Sequence, residues 1–122
     1  RTELLRHPAA GASWEGFVIE QVLGALAAGG IDAGVHFVRT IDGYEIDLLL
    51  ALGKSSVAIE IKLSAHATPQ DLARLERVAD LVSAEHRYIV CQMVEPAAGK
   101  TRGVLDLASA IERLKSIGRS ER

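Results

Sequence analysis

One β-hairpin, predicted in the middle of the chain, constrains the fold more than any other stretch. Its arms, residues 44–50 and 57–62, alternate in polarity and are rich in aliphatic and β-branched side chains, and residues 51–56 form the turn between them. A turn centred on Gly53 and Lys54 sets Asp47 opposite Glu60. Side chains alternate between the two faces of a strand. We therefore expect a polar face with Glu45, Asp47, Glu60 and Lys62, and an apolar face with Ile46, Leu48, Ile59 and Ile61.

The polar face of this hairpin predicts a metal site. Directly opposed side chains have Cβ atoms roughly 4.5–5.5 Å apart, and like charges at that separation destabilise the pair. A divalent cation shared by Asp47 and Glu60 removes this conflict, because Mg²⁺ is commonly held by one or two carboxylates together with waters and phosphates. An ion network is the alternative, in which Lys62 pairs with Asp47 or with Glu45 and no metal is needed.

The same residues carry a family resemblance. Asp47 is followed, after twelve residues, by Glu60-Ile61-Lys62, and this order resembles the PD-(D/E)xK nuclease signature, with Ile46 at the position of the proline. More narrowly, the chain resembles the uncharacterised C-terminal domain of prokaryotic AAA-type ATP-binding proteins. This second resemblance covers nearly the whole chain, and the residues that carry it are 6–8, 11–20, 39–40, 43–47 and 59–62.

The resemblance implies a restriction-endonuclease-like fold and a set of site residues. Asp47 and Glu60 would bind Mg²⁺ or Mn²⁺, with the carbonyl of Ile61 as a third ligand. Lys62 would orient or help to deprotonate an attacking water, or offset charge on a phosphoryl group, and an acidic residue of the first helix would complete the catalytic set. Glu15 is our candidate for that acid, with Glu20 as the alternative. The reaction implied is phosphodiester hydrolysis in DNA or RNA.

The segment before the hairpin predicts a helix and an edge strand. Ser13 is a good helix N-cap, and the apolar pattern that follows predicts a buried helix over residues 14–28 with Glu15 in its first turn. Residues 35–39 alternate as a strand, and Asp42-Gly43 is typical of a hairpin turn. This strand should therefore pair with the first arm of the hairpin in a three-stranded antiparallel meander. Arg39 should be the cross-strand partner of an acid such as Glu45, with a contact to a phosphate as the alternative.

The segment after the hairpin predicts a crossover. A helix start is indicated by Thr68 as the N-cap, a proline at the next position and Asp71 three residues after Thr68. The helix should extend to about residue 84. The next strand, residues 86–93, is reached through that helix and should lie parallel to the Ile59 arm. A last helix over residues 108–117 should end at Gly118. The fold class predicted is a mixed α/β fold: an antiparallel meander plus a parallel strand, flanked by helices.

Composition limits the partners that this chain can have. The 122 residues suit one domain, and a net charge of −2 with a pI near 6.1 argues against a strongly basic nucleic-acid binder. A single cysteine, Cys91, excludes an internal disulfide and fits a reducing cytoplasm. No apolar run approaches the roughly 18 residues that a membrane span needs, so we expect no membrane partner.

We expect residues 1–122 to form a single nuclease-like domain from the C-terminal part of a longer ATPase, in agreement with a start at Arg1 rather than methionine. The partners implied are nucleic acid, the N-terminal ATPase domain of the same protein and a second copy in a homodimer. Two functions stay open. One is a metal-dependent nuclease. The other is a catalytically inactive module that regulates or oligomerises the ATPase or binds nucleic acid without cutting it. A domain for a protein partner unrelated to nucleic acid is a third alternative.

Overall fold

The computed structural model describes residues 10–92 and 95–121 and shows a mixed α/β fold, in which three helices flank one six-stranded sheet. The fold class expected from the sequence is confirmed. In chain order the elements are α1 (Ala10–Ala28), β1 (Gly34–Arg39), β2 (Glu45–Leu52), β3 (Ser55–Ile61), α2 (Pro69–Leu81), β4 (His86–Val90), β5 (Ala97–Ala98), β6 (Arg102–Leu105) and α3 (Leu107–Ser120).

The strand order in the sheet is β1-β2-β3-β4-β6-β5. Strands β1, β2 and β3 form the predicted antiparallel meander, and β4 lies parallel to β3 after the crossover through α2. Strand β6 adds a second parallel pairing and β5 folds back on it. These last two strands were not predicted, because they are only four and two residues long and show little alternation.

The register of the central hairpin is the one that a turn centred on Gly53 and Lys54 requires. The strands pair from Leu52 with Ser55 to Leu48 with Ile59 and continue further into the turn than the sequence suggested. The end of α3 holds this turn, since the carboxylate of Glu121 accepts hydrogen bonds from the Lys54 N–H at 2.6 Å and from the Ser55 hydroxyl at 3.0 Å. The turn is therefore tied to the last helix.

Two apolar layers cover the two faces of the sheet. Helices α1 and α3 pack on one face against Leu48, Leu50, Val57 and Ile59, and helix α2 packs on the other face against Ala58, Ile89 and Cys91. Each strand in the centre of the sheet thus has both of its faces covered, which explains why the Ile89 region reads as a nearly continuous apolar run.

One residue of the hairpin faces the opposite layer from the one predicted. We expected Ile46 to share a face with Leu48, but Ile46 packs in the α2 layer. The reason is a β-bulge: β1 pairs His36 with Leu49 and then Val38 with Ile46, so Asp47 and Leu48 together oppose the single residue Phe37. An extra residue in one strand shifts the alternation beyond it to the other face.

Two local helix signals were also wrong. Helix α1 begins at Ala10, so Ser13 lies inside the helix rather than at its N-cap, and Glu15 lies in the second turn. Helix α3 continues through Gly118 to Ser120. Gly118 is buried against Ile31, whose Cγ2 would lie 2.7 Å from a Cβ at this position, so close packing rather than chain termination requires the glycine. Within the described ranges, no helix is long and apolar enough to span a membrane.

Two glycines with positive φ make a matched test of the sheet edge. Gly103 in β6 has φ +153°, and a Cβ there would lie 2.2 Å from the Cα of Ala98; Gly43 has φ +93° with nothing within 4 Å. Gly43→Ala should cost only the backbone strain of about 1–2 kcal/mol. Gly103→Ala should cost distinctly more free energy of unfolding in urea, because β5 must move. Equal costs would contradict the close packing of β5 on β6.

Candidate functional site

The sheet opens between β2 and β3 just beyond the pair of Leu48 and Ile59. In a regular antiparallel ladder the next hydrogen-bonded pair would join Ile46 to Ile61. Here Asp47 Oδ2 accepts the hydrogen bond of the Ile61 N–H at 2.7 Å instead. The bulge therefore brings a carboxylate into the gap where a backbone carbonyl would otherwise lie.

The carbonyl of Ile61 faces the same gap. On the far side of β3 the Lys62 N–H donates to the Val90 carbonyl at 2.8 Å, which completes the parallel pairing with β4. The N–H and C=O of one strand residue point to the same side, so both backbone groups of Ile61 point toward β2. Two of the three predicted metal ligands, Asp47 and Ile61, thus meet at one point.

Helix α1 contributes Glu15 to this region. The indole Nε1 of Trp14 donates a hydrogen bond to the Lys62 carbonyl at 3.0 Å and fixes the helix over the end of β3. Glu15 then lines a cavity of about 330 Å³ with Glu45 and Asp47. The side chain of Glu20 is exposed to solvent. Between the two helix acids considered, the structure therefore brings Glu15 to the gap.

Three carboxyl groups around the gap have raised pKa values. Burial raises the pKa of Glu15, and the charges of Asp47 and Glu45 add to the effect. Burial also raises the pKa of Glu60, again assisted by the charge of Asp47. The pKa of Asp47 itself is raised by burial, although the hydrogen bond from Ile61 and the charge of Lys62 oppose the shift. A proton or a cation bound at this gap would relieve the mutual repulsion.

Lys62 has a different partner from either of those that the ion network required. Its ammonium group pairs with Asp71 Oδ1 at 2.9 Å rather than with Asp47 or Glu45. Glu45 pairs instead with Arg39 at 3.0 Å, which confirms the cross-strand pair expected from the sequence. The network drawn from the sequence is therefore wrong in both of its proposed contacts, and within the described ranges no lysine pairs directly with the acids of the gap.

Asp71 is the site residue that the sequence reasoning missed, because it was interpreted only as a helix cap. Asp71 does form part of the helix cap: its carboxylate accepts a hydrogen bond from the Thr68 N–H at 2.8 Å, and its own N–H donates to the Thr68 hydroxyl. These contacts, with Lys62, lower the pKa of Asp71 to about 2. The position of Asp71 in the chain could have indicated its role. The loop after Lys62 is short, so the start of α2 lies close to the end of β3.

The donor set suits a hard divalent cation. In the part of the chain that the structure describes, no three His, Cys, Asp or Glu side chains lie together closely enough to hold a metal among themselves. The candidate set is smaller and consists of the carboxylates of Asp47 and Glu60 with the Ile61 carbonyl. Such a set matches Mg²⁺, which retains waters and uses one or two carboxylates. It does not match a structural zinc site, which needs four protein ligands rich in nitrogen or sulfur.

The fold and the site together define a mixed α/β domain with an acidic gap at the split end of its central hairpin. The chain belongs to the family described as "Domain of unknown function (DUF4143)", whose model matches residues 10–108. It is similar to two uncharacterized proteins, Mb2031c of Mycobacterium bovis and Rv2008c of Mycobacterium tuberculosis, each 34% identical over 95 residues that cover 72% of this chain. The match covers 21% of each relative, so the chain spans about a fifth of their length. No solved structure matches the chain.

Removing the charge of Asp47 should stabilise the metal-free protein. Asp47→Asn keeps an acceptor for the Ile61 N–H and removes the charge that raises the pKa values of Glu15 and Glu60. Relief of this repulsion should raise the free energy of unfolding at pH 7 in chelator, by up to roughly 1 kcal/mol for a cross-strand charge pair. Urea unfolding measures this gain, and Glu112→Gln, at an exposed position on α3, is the matched control.

The same variant has a defined pH dependence. A carboxyl group with a raised folded-state pKa binds protons more readily in the folded protein, so it destabilises the fold as pH rises through the interval between the unfolded and folded pKa values. The advantage of Asp47→Asn should therefore shrink as pH falls from 7 toward about 4, the ordinary carboxyl range. A loss of stability at pH 7 would show instead that the ionised hydrogen bond to Ile61 outweighs the repulsion.

Asp71 should behave in the opposite way. Its lowered pKa means that its stabilising effect is complete above the unfolded value near 4 and is lost as pH falls through about 2. Asp71→Asn should thus be destabilised most at neutral pH. A double-mutant cycle with Lys62→Met should give a coupling energy of roughly 1 kcal/mol, within the range for residues in contact. A coupling energy of zero would contradict the ion pair.

Proposed function

We propose that this chain is a metal-dependent nuclease module that hydrolyses phosphodiester bonds in DNA or RNA. The observation that carries the proposal is the carboxylate of Asp47, set by the bulge into the gap beside Ile61 and close enough to raise the pKa values of Glu60 and Glu15. A domain without a ligand for this gap would gain stability by losing one of these charges. A bound cation would offset the repulsion between these carboxylates and so account for their arrangement.

The order of elements supports the proposal. Helix α1, the meander β1-β2-β3, helix α2 and the parallel strand β4 follow one another as expected of the restriction-endonuclease-like core that the sequence resemblance implies. The acids come from three different elements: Glu15 from α1, Asp47 from β2 and Glu60 from β3. Such convergence from separate elements is typical of a binding site rather than of a solvated charged face.

Each residue has a role in this proposal. Mg²⁺ or Mn²⁺ would be held by Asp47, Glu60 and the Ile61 carbonyl, and when bound it would supply Lewis-acid stabilisation of charge and favour the deprotonation of water. Glu15, with its raised pKa, would hold a water by a hydrogen bond and accept its proton. Lys62 would offset negative charge on a phosphoryl oxygen, with Asp71 holding its ammonium group in position between turnovers.

A second candidate is an inactive module of the same fold that binds nucleic acid or regulates a neighbouring domain. The ion pair of Lys62 with Asp71 favours it, because a lysine held by an aspartate is less available to a phosphate. The net charge of −2 points in the same direction. The curated relatives are about five times as long as the matched segment and so have room for the ATPase domain that the sequence resemblance implies. That domain remains part of the proposal, and the inactive module would act on it.

Metal binding can be tested before any substrate is known. A ligand that binds only the folded state raises the unfolding midpoint by mass action, with about 2.7 kcal/mol of stabilisation at a concentration of 100 times its Kd. We expect Mn²⁺ to raise the midpoint of the wild-type protein and of Glu112→Gln relative to chelator. Asp47→Asn should show no rise. A wild-type midpoint that does not move at millimolar Mn²⁺ would contradict the metal site.

Lys62 separates the two candidate functions in the same experiment. Lys62→Met should retain the Mn²⁺-dependent rise, while its cleavage of DNA and RNA substrates should fall by about 100-fold, the usual loss on removing one charge-stabilising donor. Cleavage at the wild-type rate would contradict the role assigned to the lysine. A wild-type protein that binds Mn²⁺ and cleaves no substrate would favour the inactive module.

A further inference from the structure

We propose that Phe37 is a stacking platform for an unpaired nucleobase, so that the ligand of the acidic gap is single-stranded nucleic acid. This inference rests on the function proposed above and adds the substrate class. Nothing in the sequence pattern singled out Phe37, which read as one apolar residue of an edge strand.

The bulge sets Phe37 directly beside the site. Phe37 is the single β1 residue opposite Asp47 and Leu48, and it lines the cavity of about 330 Å³ that Glu15 and Asp47 also line. Its side chain is 66% exposed even though it stands in a strand next to the apolar layers. The ring is therefore largely uncovered at the rim of the cavity that Glu15 and Asp47 line.

The other aromatic rings of the chain have partners. The tryptophan is bonded to a backbone carbonyl and stacked on the second phenylalanine, and each tyrosine has an arginine over its ring: Trp14 with Phe17, Tyr44 with Arg77, and Tyr88 with Arg113. Among the described residues, Phe37 is the one strongly exposed large apolar residue that lines this cavity. A partner from outside the chain would cover it.

A nucleobase suits this position by size and by distance. Stacking of a base on an aromatic side chain contributes about 1–3 kcal/mol and does not depend on which base it is. Neighbouring strands lie about 4.8 Å apart, so a base on Phe37 would hold the adjoining phosphodiester near Asp47 in the next strand. A base inside a duplex is stacked on its neighbours and has no free face, which favours single strands or flipped-out nucleotides.

The charges around Phe37 determine when such a ligand binds. Glu15, Glu45 and Asp47 line the cavity, and the nearby Arg39 is already paired with Glu45. The cavity therefore repels a phosphate until a divalent cation offsets the carboxylates. Binding through Phe37 should require Mn²⁺, in contrast to proteins whose basic grooves bind single strands by charge alone.

The experiment compares four proteins by fluorescence anisotropy with short labelled oligonucleotides in Mn²⁺ and in chelator, with oligonucleotide integrity checked on a gel. The variants are Phe37→Ala, Phe37→Tyr and Leu81→Ala, of which the last is the matched control because Leu81 is 65% exposed and lies at the end of α2. We expect Phe37→Ala to weaken single-strand binding about tenfold, in line with the loss of one stacked base. Phe37→Tyr and Leu81→Ala should bind as the wild type does, and a duplex should bind much more weakly.

The outcomes distinguish this inference from the function on which it rests. If Phe37→Ala retains the Mn²⁺-dependent rise of the midpoint and loses oligonucleotide affinity, both stand. If Phe37→Ala retains both the Mn²⁺-dependent rise and the oligonucleotide affinity, the stacking role is overturned while the metal site survives. Absence of single-strand binding by the wild type also overturns it. Sedimentation of the wild type as a dimer and of Phe37→Ala as a monomer would overturn it too, because a second copy would then cover the ring.

Discussion

The hydrogen bond from the Ile61 N–H to the carboxylate of Asp47 is the contact on which the rest of the site depends. It replaces one rung of the β2–β3 ladder, and it can do so because the bulge in β2 adds a residue opposite Phe37. The same bulge turns Ile46 into the α2 layer, so the apolar packing and the acidic gap are set by one irregularity. A regular ladder would close the gap and leave the Ile61 carbonyl bonded to β2.

Asp71 and Glu60, the two carboxylates associated with Lys62 in the site, have pKa values shifted in opposite directions. Asp71 receives backbone and ammonium hydrogen bonds and is an unusually strong acid, whereas Glu60, two residues before Lys62, is half-buried near Asp47 and is a weaker acid than usual. The ammonium group of Lys62 thus pairs with the acid that the start of helix α2 also stabilises. Among the described residues neither Asp47 nor Glu60 forms an ion pair, and this division is more consistent with a binding site than with a structural ion network.

The sequence predicted the parts of this fold that depend on local pattern. Alternation and a two-residue turn gave the hairpin register, Thr68 with Asp71 gave the start of α2, and the crossover gave the parallel strand β4. Ser13 misled because α1 begins before it, at Ala10, and Gly118 misled because its close packing against Ile31, rather than chain termination, requires the glycine. The bulge at Asp47 and the ion pair of Lys62 arise from contacts between separate segments, and no periodicity within either segment records them. The two last strands are too short to show a period.

The indole of Trp14 gives the site an optical property. Its N–H is bonded to the carbonyl of Lys62, one peptide unit beyond Ile61, and it is the only tryptophan in the chain. The ultraviolet emission of the protein therefore comes mainly from a ring attached to the strand end that forms the gap. Any event that moves this strand end against α1 must change the hydrogen bond of that ring, so the domain contains its own spectroscopic reporter at the place where its chemistry is expected.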